Sequence, residues 1–152
     1  MKLFGILIFL ALAILAMRGA RWAYAAFVLF ILLSFPAQSA FHLDPKPCGL
    51  TFGLPDAIQS LSNYGHIWLF GFFFLVTALH FRLLGWRSLA WAIAVTMAMG
   101  AAVELAQGIS GNHHCKTVDL IPDFIGALVG LVIVILAGKV LSLSRAAPPR
   151  TP

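Results

Sequence analysis

The sequence predicts an all-α, polytopic transmembrane helix bundle of about five spans. Three observations carry that prediction. Mean hydropathy is +0.97 and only 10% of residues are charged, against about 25% in ordinary soluble domains. Long apolar runs recur along the 152 residues, several of them near the length that crosses a bilayer. Polar and charged residues gather in the connections between those runs. The chain is one domain's worth of sequence, read as a transmembrane unit over residues 1–144 and a disordered, proline-rich tail over 145–152.

The first apolar run is Leu3 to Met17. At ~1.5 Å per residue it covers ~22 Å of a ~30 Å hydrocarbon layer. Lys2 before it and small residues after it fit a cleaved signal peptide as well. Arg18 and Arg21 directly behind it oppose export, which favours a retained span with its amino end outside. The second run, Trp22 to about Ala40, starts on an interfacial aromatic and carries Pro36 as a kink or exit signal. The third covers about Tyr64 to Phe81, the fourth about Ser88 to Gln107, and the fifth about Leu120 to Gly138. Between the second and third lies a long connection, stiff and extended at DPKPCG, residues 44–49, and holding a short surface helix from Leu54 to Leu61 with Pro55 near its start.

Basic residues set the orientation. Arg18, Arg21, Arg82, Arg87, Lys139, Arg145 and Arg150 fall on one side, and only Lys2, Lys46 and Lys116 on the other. The positive-inside rule then places the amino terminus outside and the carboxyl terminus in the cytoplasm. On this arrangement every acid of the chain, Asp44, Asp56, Glu104, Asp119 and Asp123, lies at the outer face. The expected location is a membrane, with the lipid bilayer as first partner. The excess of positive charge serves orientation, and nothing points to nucleic acid.

The stretch 103–123, VELAQGISGNHHCKTVDLIPD, concentrates the scarce polar groups. Glu104 and Gln107 share one helical face, and so do Asp119 and Asp123. Continued inward, the Asp119–Asp123 stripe meets Gly126 and Gly130, a spacing that permits close helix approach. Gly100 and Ala101 lie one turn deeper than Glu104. A short loop joins the two helices, so Glu104 is expected to face Asp119 or Asp123. His66, near the outer end of the third span, sits at similar depth and joins them. His113 is a further candidate, although His113, His114 and Lys116 also read as exposed loop residues.

Asp119 equally suits a helix cap, and Asp123 the helix dipole. Glu104 is harder to dismiss, since an ionisable group within a span costs roughly 2.5–3.5 kcal/mol on insertion scales. If the carboxylates converge, shared protons, the neighbouring cations or a divalent ion must offset their repulsion. The spacing matches no known metal motif, and no metal or cofactor is expected. Cys48 and Cys115 both lie on the exported side, either bridged or as two unpaired thiols.

These segments resemble the VanZ-like family of bacterial integral membrane proteins over about residues 21–136. RWAYAAFVLFILLSFPA looks like the family's first span. GHIWLFGFFFLV is similar to the segment that opens its next span, which implies His66. Glu104 and Gln107 meet its Glu-x-x-Gln pattern, and DLIPDFIGALVG its Asp-x-x-x-(Asn or Asp)-x-x-Gly-x-x-x-Gly block, which implies Asp119, Asp123, Gly126 and Gly130. Two positions depart: Ser62-Asn63 stands where the family has an acidic-then-basic pair, and His113 where it has an arginine. The family takes its name from a protein linked to resistance to the glycopeptide teicoplanin, and the resemblance implies a bacterial inner-membrane location but no defined reaction.

The function expected is therefore an outward-facing polar site that binds or modulates an envelope component, a lipid head group or cell-wall precursor. Catalysis is open but not favoured, because no nucleophile motif accompanies the acids. The alternative is a structural or assembly subunit of a larger membrane complex, with the polar cluster as an internal lock and other membrane subunits as partners.

Overall fold

The computed structural model describes residues 2–34, 48–49, 53–82, 85–110 and 115–146. Six α-helices and one short 3₁₀ turn make up this part of the chain: α1 (Lys2–Met17), α2 (Arg21–Ser34), α3 (Leu54–Ser60), α4 (Tyr64–His80), α5 (Trp86–Ile109), the turn Thr117–Asp119, and α6 (Leu120–Ala146). Two stretches, Trp86–Ile109 and Thr117–Lys139, are long and apolar enough to cross a membrane. A third exists if α3 and α4, bent by 67° across a short break, count as one. Leu3–Met17 and Arg21–Ser34 are shorter apolar helices.

Local chemistry sets the boundaries. Gly19 adopts a φ of 95°, a left-handed geometry that suits a residue without Cβ. Its amide donates to the Ala16 carbonyl at 2.8 Å and the Ala20 amide to the Leu15 carbonyl at 3.1 Å. These bonds close α1 and turn the chain straight into α2. Pro55 occupies the first turn of α3, where its missing N–H costs nothing. α6 continues to Ala146, past the expected end at Gly138 and into the segment assigned to the tail from Arg145. The apolar run ends at Gly138, but no proline interrupts the backbone before Pro148, so the helix outlasts its hydrophobic stretch. Pro36 and the Asp44–Pro47 segment lie outside the described residues.

Side-chain contacts give the directions. Ile67 and Gly71 of α4 meet Gly126 of α6, and further along Gly71 and Phe74 meet Gly130, so α4 and α6 run parallel. Leu89 and Ala92, early in α5, pack with Phe74 and Ala78, late in α4, so α5 runs opposite. Phe9 packs on Phe72, and His80 Nδ1 donates to the Ala16 carbonyl at 2.8 Å, which aligns α1 with α4. Tyr24 bonds Thr77 at 3.0 Å while Phe27 stacks on Phe73 at 5.9 Å, which sets α2 antiparallel. The five longer helices thus alternate in direction. The amino ends of α4 and α6 meet the carboxyl end of α5 at one pole, which is where Glu104, Asp119 and Asp123 sit.

Phe27, Ile31, Phe70, Phe73, Val76, Met99 and Val103 form the main core with Ala13 and Ala16. The outside is apolar as well. All four tryptophans, Trp22, Trp68, Trp86 and Trp91, are exposed, as are Val132, Ile133 and Leu136 of α6. An aqueous surface would not tolerate that much apolar area, whereas lipid does.

The α4–α6 seam is the tightest contact in the bundle. A Cβ at Gly126 would run into the Ile67 carbonyl and lie 2.9 Å from the Gly71 nitrogen. One at Gly130 would come within 2.8 Å of the Gly71 carbonyl, and one at Gly71 within 3.0 Å of the Gly126 carbonyl. Three glycines therefore bring the two backbones into direct contact. Gly126 and Gly130 face α4, not the small residues of α5, and Ala101 is exposed.

Candidate functional site

The pole where α4, α5 and α6 meet holds His66, Glu104, Asp119 and Asp123. Each is placed by a simple feature of its helix. His66 is in the first turn of α4, directly after the break that follows α3. Glu104 is in the last two turns of α5. Asp119 ends the 3₁₀ turn and Asp123 lies in the first turn of α6. His66, Glu104 and Asp123 are 7%, 5% and 0% exposed, so three ionisable groups are withdrawn almost fully from solvent or lipid. Asp119 is half-buried.

The geometry links these groups in two ways. His66 Nδ1 is 2.7 Å from Asp123 Oδ1, a short charge-assisted hydrogen bond joining α4 to α6. The amide of Lys116 donates to Glu104 Oε2 at 2.8 Å, joining the segment before α6 to α5. One ligand atom each from His66, Glu104 and Asp119 lies within 4.8 Å of the others. The spacing along the sequence matched no metal motif, but the fold assembles a nitrogen and two carboxylates that could hold an ion.

The second oxygen of each buried carboxylate stands out. Among the described residues, Glu104 Oε1 and Asp123 Oδ2 are buried and have no hydrogen-bond partner. An unpaired buried acceptor costs ~1–3 kcal/mol, more where charge is involved. Gly100 shapes this corner: a Cβ there would collide with Asp123 Oδ2. Gly100 therefore admits a carboxylate from α6 against the α5 backbone.

A covalent clamp holds the outer edge. Cys48 and Cys115 form a disulfide with Cα atoms 4.9 Å apart, closing 67 residues of separation. Beside it, the Gly49 amide donates to the Cys115 carbonyl at 3.1 Å and the Thr117 amide to the Gly49 carbonyl at 3.2 Å. The Thr117 hydroxyl reaches the same carbonyl at 3.0 Å. Lys116 sits between these anchors, so the bridge fixes the amide that grips Glu104.

Gln107 is buried one turn beyond Glu104, and its backbone carbonyl accepts from the Ser110 hydroxyl at 3.0 Å. Gly126 and Gly130 lie deeper along α6 and act on the site by setting helix spacing. His113 and His114 lie outside the described residues. Sequence reasoning missed Gly71, Gly100 as the seat of Asp123, and the Lys116 amide. Gly71 interrupts the apolar run LFGFFFLV, and a glycine there is the one signal that could have marked a close approach. A backbone amide leaves no trace in residue type.

At the opposite pole His80 has a structural task. Besides its bond to Ala16 it stacks on Tyr24, with centroids 4.5 Å apart and planes 7° from parallel. It ties α1, α2 and α4 together and is more than an interfacial polar residue. No family model, curated protein or solved structure matches the chain.

Proposed function

We propose that this chain is a five-span inner-membrane protein of the VanZ-like type whose polar pole faces outward and binds an envelope component by its head group. The observation that carries this reading is the pair of buried, unpartnered carboxylate oxygens, Glu104 Oε1 and Asp123 Oδ2, on two helices around His66. A polar network that existed only to lock helices would satisfy its own acceptors, because leaving them orphaned is costly. What completes this one must bring positive charge or hydrogen-bond donors. The ammonium or hydroxyl groups of a lipid head group or lipid-linked wall precursor supply both, and they occur at the depth where the acids sit.

The alternating helix directions support the orientation. They put Arg18, Arg21, Arg82 and Arg87 at the pole opposite the acids, the distribution expected of a cytoplasmic face. The disulfide supports an oxidising exterior for the acid pole. α1 and α2 reach only about 24 and 21 Å, and local thinning or polar flanks make up such a mismatch at modest cost. The reading is of binding rather than catalysis: the groups present can hold a ligand and exchange a proton, and no activated nucleophile stands beside them among the described residues.

The test is native mass spectrometry of the chain released from its own membranes in mild detergent. A retained lipid or lipid-linked adduct on the wild type, lost in Glu104→Gln, is expected. Identical adduct profiles in both would overturn the reading. A protein partner that co-purifies at fixed stoichiometry, with no lipid adduct, would replace it with an assembly role.

A further inference from the structure

We propose that His66, Glu104 and Asp119 form a binding site for one divalent first-row transition ion, of the zinc or manganese class. The proposal deepens the reading of this pole as a binding site, but does not depend on which head group it accepts. Three observations on different elements converge. First, one ligand atom from each of the three residues lies within 4.8 Å of the other two. Ligands at ~2.0–2.2 Å from a common ion in a tetrahedral shell stand about 3.3–3.6 Å apart, so side-chain rotations that move the ligand atoms by about an ångström close the site.

Second, the hydrogen bond that Glu104 makes leaves its other oxygen to ligate. Glu104 Oε2 is taken by the Lys116 amide at 2.8 Å. Oε1 is buried on a residue only 5% exposed and has no partner. It is the oxygen available to a cation. Third, His66 Nδ1 contacts Asp123 Oδ1 at 2.7 Å. Donation from Nδ1–H to that carboxylate selects the tautomer whose lone pair is on Nε2. A carboxylate behind a histidine in this way is the usual support of a metal-bound imidazole, fixing its ring and raising its basicity. Asp123 is thereby a positioning residue and not a ligand.

Charge and donor type agree with the geometry. Glu104 and Asp119 bring two like charges together in a poorly solvated corner, and one divalent ion cancels both. One imidazole and two carboxylates suit zinc, manganese or iron(II) better than calcium, which takes oxygen ligands. Three protein ligands leave at least one coordination position open. Asp119 is the least buried of the three, so that position lies toward the outer edge, where a head-group oxygen can enter.

The experiment uses the full chain in mild detergent, carrying a purification tag free of histidine. The protein is stripped with chelator and dialysed, then loaded separately with Zn²⁺ and Mn²⁺. Bound metal is measured by elemental mass spectrometry, and Mn²⁺ additionally by electron paramagnetic resonance. About one ion per chain is expected, with His66→Ala, Glu104→Gln and Asp119→Asn each weakening binding by at least about tenfold. Intrinsic fluorescence melting identifies any variant that fails to fold. Asp119→Asn is the safest of the three, because Asp119 is only half-buried. A His113→Ala/His114→Ala variant should keep the ion. Metal no higher than the detergent blank would overturn the proposal. So would wild-type affinity in folded Asp119→Asn, or loss of the ion only in the His113/His114 variant. Metal bound with lipid adducts unchanged in Glu104→Gln would uphold the ion site while ending the head-group reading. Lipid adducts without metal would do the reverse.

Discussion

Gly126→Ala is the sharpest perturbation the structure offers, because it adds one carbon at the point where two helices touch. The new Cβ would lie 2.9 Å from the Gly71 nitrogen and closer still to the Ile67 carbonyl. Reaching an ordinary contact of 3.4 Å requires a shift of about 0.5 Å from the nitrogen and about 1 Å from the carbonyl oxygen. Radial gaps of that size forfeit roughly a quarter to a half of the dispersion well for atom pairs along the seam. Overpacking of this kind costs typically ~1–3 kcal/mol. For a chain of this length that corresponds to a fall in melting temperature of very roughly 2–12 °C. The same shift would stretch the His66–Asp123 bond from 2.7 Å to about 3.2–3.7 Å, at or beyond the outer limit of a good hydrogen bond. The assay is thermal unfolding in detergent followed by the intrinsic fluorescence of the four tryptophans. Gly138→Ala is the matched control: it lies on the same helix with nothing within 4 Å of the added carbon. It should be neutral or stabilising by up to ~1 kcal/mol of helix propensity. A Gly126→Ala protein that melts with or above the wild type would refute the proposed backbone contact between α4 and α6.

Other perturbations act on separate parts of the account. Asp123→Ala removes the partner of His66 and should destabilise the fold by ~1–3 kcal/mol, whereas Asp123→Asn should lose less; equal melting of the two would count against the pair. Non-reducing treatment of the denatured wild type with a maleimide should label neither cysteine, and labelling should appear at both Cys48 and Cys115 after reduction. His80→Phe keeps the ring over Tyr24 but breaks the bond to Ala16, and should cost ~1 kcal/mol; an unchanged melting temperature would remove the tie between α1 and α4. A reporter fused after Pro152 should be active in its cytoplasmic form only, and activity of its exported form would reverse the orientation.

Helices and their rough limits were legible because apolar length and breaker residues act locally. Pro55 marks a boundary that any chain would respect. The polar pole was legible for a different reason: an acid in an apolar helix is costly wherever it points, so Glu104 and Asp123 stand out without coordinates. The register between helices was not legible. Gly126 and Gly130 were visible as a close-approach stripe, but residue type alone does not say which helix fills it. Gly71 on α4 decides that, and a lone glycine among phenylalanines reads equally as chance. Gly100 was read as a small packing residue, yet it seats a carboxylate from another helix. The Lys116 amide and its grip on Glu104 depend on where the disulfide holds the chain, which is a tertiary fact. The overrun of α6 to Ala146 shows that hydropathy reports where lipid ends, and only the backbone chemistry near Pro148 reports where the helix must.

The account depends most on a histidine of one helix and an acid of another meeting at one pole of the bundle. Solid-state NMR on bilayer-embedded protein, with ¹⁵N in the His66 ring and ¹³C in the Asp123 carboxylate, measures that meeting directly. A strong dipolar coupling between Nδ1 and the carboxylate carbon, as expected for atoms one hydrogen bond apart, is the predicted result. No coupling above background, in protein shown to be folded, would contradict it.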